Sequence, residues 1–169
     1  MSGHRLLLVV RPPPEAAAYI HDIGRKFGPG YAMSPDRLHI TLALFGDHLA
    51  FPRAQAERII AAADSIAIPP FRVAFDFALA TATSVALRAS EPLIRLDSLR
   101  NRLQIALAGA RAAMRMQQRF VPHITLLHRR GPVFLQPIDM VSWQVREFFL
   151  VDSRLGAGVH QLLARWPLK

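Results

Sequence analysis

The chain has no cysteine and no long apolar segment, and both absences narrow its chemistry. Without cysteine among its 169 residues, the protein has no disulfides, no thiolate nucleophile and no cysteine-based metal site. The apolar run nearest the N-terminus, residues 6–10, lies between Arg5 and Arg11 and is too short for a signal sequence or a membrane span. We therefore expect a cytoplasmic protein, not attached to a membrane, in which any catalysis must use other side chains.

Lysine is also scarce, because Lys26 and Lys169 are the only two in the chain. Arginine supplies nearly all of the 21 basic residues, which outnumber 12 acidic residues and give a formal net charge of +9. The planar guanidinium suits two-point contact with phosphate, so the charge favours an anionic partner such as nucleic acid. A basic composition without such a partner is the alternative.

The hydrophobic pattern predicts a globular α+β protein. Hydrophobic residues make up 51% of the chain and charged residues 20%, which is enough apolar surface for a core. Helical spacing predicts helices at residues 16–27, 52–65 and 92–110. Strand patterns occur at residues 6–10, 38–45, 71–78, 85–88, 120–127, 143–151 and 159–166. This order favours antiparallel pairing over a doubly wound parallel sheet, in a single domain of two lobes covering residues 1–169.

The tetrapeptide HITL occurs twice, once in each half of the chain, and it contains two of only four threonines. Alternation along a strand places His39 beside Thr41 on one face, and His123 beside Thr125 on another. The opposite faces are apolar, as expected for burial against helices: Leu38, Ile40, Leu42 and Leu44 in the first strand, and Ile124 and Leu126 in the second. The two histidine–threonine pairs are therefore expected to face a shared cleft.

Two imidazoles and two hydroxyls in one cleft suit phosphodiester cleavage. Histidine titrates near neutral pH, so one ring can accept a proton while the other donates one. Threonine hydroxyls can hydrogen-bond the phosphate oxygens that carry the negative charge. The alternative is a pair of half-buried strand histidines bonded to their neighbours.

The two motifs resemble the paired HxT signatures of the 2H phosphoesterase superfamily, and among its members the bacterial RNA 2′,3′-cyclic phosphodiesterases, also called 2′-5′ RNA ligase family proteins. The similarity covers nearly the whole chain. Besides the motifs it includes the opening RLLLVVRPP, the segments Phe45-Gly46-Asp47 and Phe120-Val121-Pro122, and the closing WQVREFFLVDS.

The resemblance implies a two-lobed fold with pseudo-twofold symmetry, in which mostly antiparallel sheets line a central basic cleft and helices pack outside. It implies hydrolysis of a 2′,3′-cyclic phosphate at an RNA or nucleotide end to a 2′-phosphomonoester, without metal or cofactor. His123 would be the general base and His39 the general acid, with the reverse ligation exchanging these roles. Thr41 and Thr125 would hold the phosphate. We expect a monomer.

The second motif departs from the family at one position. Related sequences often have arginine three residues after the second threonine, where this chain has His128 followed by Arg129. Strict alternation places Arg129 on the face of Thr125, so Arg129 is predicted to bind the phosphate. Arg37 shares the face of His39 and could also reach a phosphate.

Two other functions remain open at this point. One is a non-catalytic RNA-binding module that keeps the groove for its charge. The other is a 2H enzyme for a different substrate, such as another cyclic nucleotide or a 2′-5′ linked oligonucleotide, including 2′-5′ RNA ligation.

Overall fold

A computed structural model describes residues 3–112, 114–115 and 119–169. A 3₁₀ turn, Pro35–Arg37, precedes the third strand, and the α-helices are α1 Pro14–Arg25, α2 Arg53–Ala63 and α3 Ile94–Gly109. The strands are β1 His4–Val10, β2 Tyr31–Ala32, β3 Ile40–His48, β4 Phe71–Ala80, β5 Ser84–Arg88, β6 Ile124–His128, β7 Phe134–Val145, β8 Glu147–Arg154 and β9 Val159–Pro167.

The strands form two antiparallel sheets, which confirms the predicted α+β class. The first sheet has the order β3-β1-β8-β9 and the second β2-β6-β5-β4-β7. Each HITL segment contributes its strand to a different sheet, as β3 and β6. When the short strand β2 is left out, each sheet has its HITL strand at one edge, followed by three further strands. The two sheets therefore correspond to each other strand by strand, as the predicted pseudo-twofold symmetry requires.

The helices pack their apolar stripes against the sheets. Helix α1 begins at Pro14, a residue suited to a first turn, and buries Ala17, Ile20 and Ile23. Helix α3 buries four leucines at helical spacing: Leu96, Leu99, Leu103 and Leu107. Residues of both sheets and all three helices belong to one buried apolar cluster. No helix in the described part of the chain is long and apolar enough to cross a membrane.

The predicted strand over residues 143–151 is wrong as a single element. It consists of the end of β7 in the second sheet and the start of β8 in the first, separated at Arg146. Trp143 and Val145 are buried, and so is Phe148. The alternation of buried and exposed residues is therefore interrupted between the two strands. The chain crosses here from one sheet to the other. The first half of β7 was not predicted because most of its residues are exposed.

Both HITL strands carry a β-bulge directly after the threonine. In β3, Thr41 pairs with Val9 and Ala43 with Leu8, so that Leu42 is the extra residue. In β6, Thr125 pairs with Ala86 and Leu127 with Val85, so that Leu126 is the extra residue. Beyond a bulge, each side chain lies on the face of the sheet opposite to the one that strict alternation would give it.

The bulge in β3 corrects the predicted position of Leu44. This side chain lies on the face opposite Ile40 and packs with Leu7, Val9 and Val151 in a second, smaller apolar cluster. Val9 and Val151 have no exposed surface, so this face of the first sheet, which carries Thr41, is also shielded from solvent. It is called the covered face below.

Burial in the main core predicts a large effect of Phe148→Ala. Phe148 is fully buried and stacks on Trp166 with ring centroids 5.0 Å apart. We expect a loss of about 3–5 kcal/mol in the free energy of unfolding, measured by urea denaturation with circular dichroism. Leu49→Ala is the control, because Leu49 is 88% exposed and should change stability by less than about 0.5 kcal/mol. Equal effects of the two substitutions would contradict this assignment of the core.

Candidate active site

The two motif histidines are held by the same backbone hydrogen bond. His39 Nδ1 donates to the carbonyl oxygen of Arg37 at 2.6 Å, and His123 Nδ1 donates to that of Val121 at 2.9 Å. A carbonyl oxygen only accepts, so Nδ1 carries the proton in both rings. In a neutral ring Nε2 then carries no proton and can act as an acceptor. This is the tautomer that can receive a proton from a substrate.

The threonines follow their histidines at equivalent places in the two sheets. Thr41 lies at the start of β3 and Thr125 at the start of β6, and both side chains are half-buried. Each is followed by the bulge described above. The two halves of the chain thus present a histidine and a threonine hydroxyl on locally similar backbone.

Arg11, immediately after β1, is a cation near His39 that the sequence analysis did not single out. Its guanidinium lies over the Phe149 ring, 5.6 Å from the centroid. Its Nε and Nη2 atoms are buried, and no described residue accepts a hydrogen bond from them. Burial lowers the pKa of Arg11. The group is therefore a desolvated cation with free donors, which is suited to an anionic ligand.

Arg37, which the sequence placed on the face of His39, is tied to Tyr31. Its Nη1 donates to the Tyr31 hydroxyl at 3.0 Å, and its guanidinium lies 6.0 Å from the centre of that ring. Its Nε is buried and has no acceptor among the described residues. Tyr31 pairs with His128 across the β2–β6 ladder, so Arg37 spans the space between the two motif strands.

A third histidine, His160 in β9, contacts His39. The ring centroids are 5.2 Å apart and the ring planes make an angle of 63°. No signal in the sequence marks this contact, because His160 has no HxT pattern and is separated from His39 by most of the chain.

Register places His39 and His160 at diagonally opposite corners of the first sheet. β3 and β9 are the two edge strands. His39 precedes Ile40, which pairs with Val10 at one end of β1. His160 pairs with Ser153, which pairs with Arg5 near the other end of β1. Since twist brings diagonal corners of a sheet toward each other, the two rings meet above the covered face of the sheet.

Burial and positive neighbours hold His39 in the neutral form. Burial lowers its pKa to about 4; the bond to the Arg37 carbonyl opposes this, and repulsion from Arg11, His123 and the Arg37 side chain adds to it. The contribution of His123 shows that the two motif imidazoles lie within electrostatic range of each other. At neutral pH the His39 ring of the free protein is therefore uncharged.

His160 is held neutral in the same way. Burial lowers its pKa to about 4, and repulsion from His39, Arg37 and Arg11 adds to this, while Asp36 acts in the opposite direction. Two half-buried rings in contact cannot both be protonated without strong repulsion. Among the described residues, no three His, Asp or Glu side chains are grouped in a way that could hold a metal ion.

The alternation that led to Arg129 is broken in the structure. Because of the bulge at Leu126, His128 pairs with Ser84 and lies on the face of Thr125, which moves Arg129 to the other face. The Arg129 guanidinium lies 5.3 Å from the centre of the Phe134 ring and donates to the carbonyl oxygen of Pro132 at 3.1 Å. The prediction that Arg129 binds the phosphate therefore loses its geometric basis.

The lowered pKa values predict that the protein is less stable in acid. In the unfolded chain each histidine titrates at its ordinary value of about 6.5, whereas the folded pKa of both His39 and His160 is about 4. Between these values the unfolded state binds more protons, so the free energy of unfolding falls as the pH is lowered through this window. Urea denaturation along a pH series measures it.

The variant His160→Gln, which lacks one of these rings, should lose less stability over the same pH range. A wild-type protein as stable at the acid end of the window as at neutral pH would contradict the assigned burial of the two rings.

Comparison with known proteins places this chain in a family. A family model described as the 2′-5′ RNA ligase superfamily matches residues 12–156. The structure is similar to Escherichia coli LigT complexed with 3′-AMP, with a TM-score of 0.81, 28% sequence identity and 99% of each chain covered. No match is found among curated protein sequences.

Two further crystal structures have the same fold. One is described as a phosphoesterase, with a TM-score of 0.79, 28% identity and 98% of each chain covered. The other is a protein of Thermus thermophilus, with a TM-score of 0.75, 25% identity and 97% of each chain covered. With the family model matching most of its length and the paired HxT strands in corresponding places, the chain belongs to the 2′-5′ RNA ligase superfamily of 2H phosphoesterases.

Proposed function

We propose that the protein hydrolyses 2′,3′-cyclic phosphates at RNA or oligonucleotide ends to 2′-phosphomonoesters without a metal. The observation that carries this proposal is the matched pair of Nδ1-anchored imidazoles, His39 and His123, each followed by a threonine on an HITL strand. Hydrolysis of a cyclic phosphate needs one proton removed from water and one delivered to the leaving oxygen. Two histidines in different environments can perform both transfers.

The reaction proceeds by addition of one water. The general base takes a proton from water as its oxygen forms a bond to phosphorus. The bond between phosphorus and the 3′ oxygen breaks, and the general acid donates a proton to that oxygen. The product has a free 3′ hydroxyl and a 2′-phosphomonoester, and the exchange of one proton between the two imidazoles through solvent restores the protein.

We keep the assignment that the family resemblance implies, with His123 as the general base and His39 as the general acid for hydrolysis. Burial and positive neighbours lower the pKa of His39 to about 4 in the free protein. An anionic phosphate bound beside the ring favours its protonated form, so the proton that His39 donates is taken up together with the substrate. His123 is exposed and can exchange protons with solvent.

The phosphate is held in this proposal by Thr41 and Thr125 together with Arg11. The threonine hydroxyls donate to the non-bridging oxygens. Arg11 supplies a positive charge beside His39 with two buried donors that no described residue uses, and it takes the part first predicted for Arg129. Charge-assisted hydrogen bonds of this kind are stronger than neutral ones.

The solved relatives support an anionic nucleotide ligand. LigT of Escherichia coli has been crystallised with 3′-AMP, with ATP and with phosphate. The basic groups around His39 and the +9 net charge suit the same chemical class here. For this chain, RNA or a nucleotide ending in a 2′,3′-cyclic phosphate is the proposed substrate.

The direct test is turnover of a short RNA with a 2′,3′-cyclic phosphate end, in the presence of EDTA and with the product phosphate mapped by NMR. We expect a 2′-phosphate product. His39→Ala and His123→Ala should each lower kcat by about 10²- to 10⁴-fold, the usual contribution of a general acid or base. His48→Ala is the control, because His48 lies at the far end of β3 and should leave kcat unchanged.

Three results would contradict the proposal. Loss of turnover with EDTA would show that a metal is required. RNA binding without turnover would identify a binding module, and turnover confined to other cyclic or 2′-5′ linked nucleotides in a substrate panel would identify a 2H enzyme with a different substrate.

The corrected phosphate contact gives a second prediction. Arg11→Ala should lower kcat/KM by about 10- to 150-fold, because a hydrogen bond to a charged group contributes about 1.5–3 kcal/mol. Arg129→Ala, the matched control, should lower it by less than about 3-fold, since Arg129 lies on the face opposite Thr125 and donates to the Pro132 carbonyl oxygen. Steady-state kinetics on the same RNA measures both. A larger loss in Arg129→Ala than in Arg11→Ala would restore the original prediction.

A further inference from the structure

Arg88, the last residue of β5, corresponds to Arg11 in the other half of the protein. In each sheet an arginine lies two positions after the residue that pairs with the motif threonine: Arg11 follows Val9, which is opposite Thr41, and Arg88 follows Ala86, which is opposite Thr125. Side chains two positions apart along a strand lie on the same face. Arg88 therefore lies on the face of the second sheet that carries Thr125.

Arg88 is a neighbour of His123 across the β5–β6 ladder. Leu87 pairs with Ile124, so continuing this register by one residue pair places Arg88 opposite His123. Leu87 and Ile124 are fully buried, which leaves the other face of the sheet for Arg88 and His123. Directly opposed residues of an antiparallel pair have Cβ atoms about 4.5–5.5 Å apart. The guanidinium therefore belongs to the cleft side of the second motif.

A second cation lies beside Arg88, and no carboxylate of a described residue forms an ion pair with it. Partial burial lowers the pKa of Arg88, and repulsion from Arg119 adds to this. Two guanidinium groups that repel each other are stabilised by an anion bound between them, and guanidinium donors suit the oxygens of a phosphate. The pair Arg88 and Arg119 is therefore suited to a phosphate group.

The two arginines line a groove that begins directly before His123. Val121 and Pro122, the two residues before this histidine, form part of its wall together with the loop between β5 and α3, and its volume is about 360 Å³. Phe120 supplies an aromatic ring to the wall, with the Arg100 guanidinium 4.5 Å from the ring centre. A space of this size is in the range of small-molecule sites, so it can hold one nucleoside.

The groove also has an acidic part. Glu91 and Asp97 line it at the start of α3, whereas the charge that acts on Arg88 is that of Arg119. Carboxylate oxygens accept hydrogen bonds from the amino group of a base, such as N4 of cytosine. The groove therefore suits a nucleotide with its phosphate at the two arginines and its base toward α3.

The reacting phosphate does not need these two cations. A cyclic phosphate diester carries one negative charge, and Arg11 and Arg37 already lie beside His39 on the other side of the cleft. Arg88 and Arg119 are left for a second phosphate. An oligonucleotide has such a group in the diester that links its terminal nucleotide to the preceding one, and a mononucleotide lacks it.

We propose that Arg88 and Arg119 bind the phosphodiester that precedes the terminal nucleotide, and that the adjoining groove holds the nucleoside on the far side of this diester. The site then favours an RNA or oligonucleotide end over a cyclic mononucleotide. This inference rests on the proposed function, because the cyclic phosphate between the two HxT motifs sets the position from which the next phosphate is counted.

The test compares two substrates that end in the same nucleotide. One is cytidine 2′,3′-cyclic phosphate, and the other is the dinucleotide CpC with a 2′,3′-cyclic phosphate end. In wild type kcat/KM should be higher for the dinucleotide. Arg88→Ala should lower kcat/KM for the dinucleotide, and with it the ratio of the two values, by about 10-fold, which is the usual effect of losing one hydrogen bond to a charged group.

Two further variants control for folding and for charge. Arg119 is exposed, so Arg119→Ala should leave the fold intact, checked by circular dichroism, and should also lower the ratio. Arg95 is an exposed arginine near the start of α3 that does not line the groove. Arg95→Ala removes the same charge and should leave the ratio unchanged.

The salt dependence of binding gives a readout that a purely structural role of Arg88 would not change. The ligands are the two products, cytidine 2′-monophosphate and CpC with a 2′-phosphate end, measured by isothermal titration calorimetry at several salt concentrations. Each phosphate of a single strand that is bound by a cation adds about 0.7 to the slope of log K against log salt. The dinucleotide should therefore have the steeper slope in wild type, and Arg88→Ala should remove the difference.

These measurements separate the inference from the function on which it rests. If Arg88→Ala lowers kcat/KM equally for both substrates, or for neither, the ratio is unchanged and the inference is overturned even though the protein is active. A wild-type protein that turns over neither substrate overturns the proposed function. In that case a steeper salt slope for the dinucleotide that Arg88→Ala removes would still support the phosphodiester site.

Discussion

The site depends on two short hydrogen bonds from imidazole Nδ1 to a backbone carbonyl two residues earlier. In each motif the bond fixes the tautomer and the ring orientation, so that Nε2 of His39 and of His123 is the nitrogen left without a proton in the neutral ring. The backbone supplies the acceptor, and no carboxylate is needed to orient either ring. A carboxylate in the same place would raise the histidine pKa, whereas a neutral carbonyl does so much less. The choice of acceptor therefore suits a site that must keep one imidazole neutral.

Two strands of similar sequence occupy different surroundings. The bulges at Leu42 and Leu126 follow the two threonines in the same way, so the local geometry is nearly repeated. The first sheet, however, twists until its diagonal corners meet, and this encloses His39 between Arg11, Arg37 and His160. The second sheet leaves His123 exposed. A pair of equivalent histidines would be inefficient as acid and base, because the two roles need opposite protonation states at one pH.

The covered apolar face beneath the site makes this arrangement possible. Leu7, Val9 and Val151 form the small second cluster, and the Phe149 ring, which is packed against it, lies below the Arg11 guanidinium. Apolar surroundings remove water from the cation and from His39, which strengthens the electrostatic effects among them. The same burial makes a protonated His39 unfavourable. Stability of the sheet and the acid–base chemistry are thus linked through one layer of side chains.

Local sequence determined the main elements and the motif residues. The alternation in β3 and β6, the leucine stripe of α3 and the repeated HITL can be recognised within a few residues of chain, so the α+β class and the pairing of His39 with Thr41 and of His123 with Thr125 followed from them. Mixed antiparallel pairing followed from the order of these elements. The spacing of apolar residues along a strand or a helix depends only on residues close together in the chain. It can therefore be recognised without knowing which distant residues are in contact.

Only the tertiary structure decided where periodicity is interrupted and which distant residues meet. The bulge after Thr125 moved Arg129 to the other face, and the crossing at Arg146 divided one predicted strand between two sheets. Arg11 and His160 reached His39 through strand pairing and twist. These features depend on hydrogen bonds and packing between residues far apart in the chain, which leave no period in the local sequence. For that reason the HITL motifs mark the two histidine–threonine pairs but not the surroundings that distinguish them.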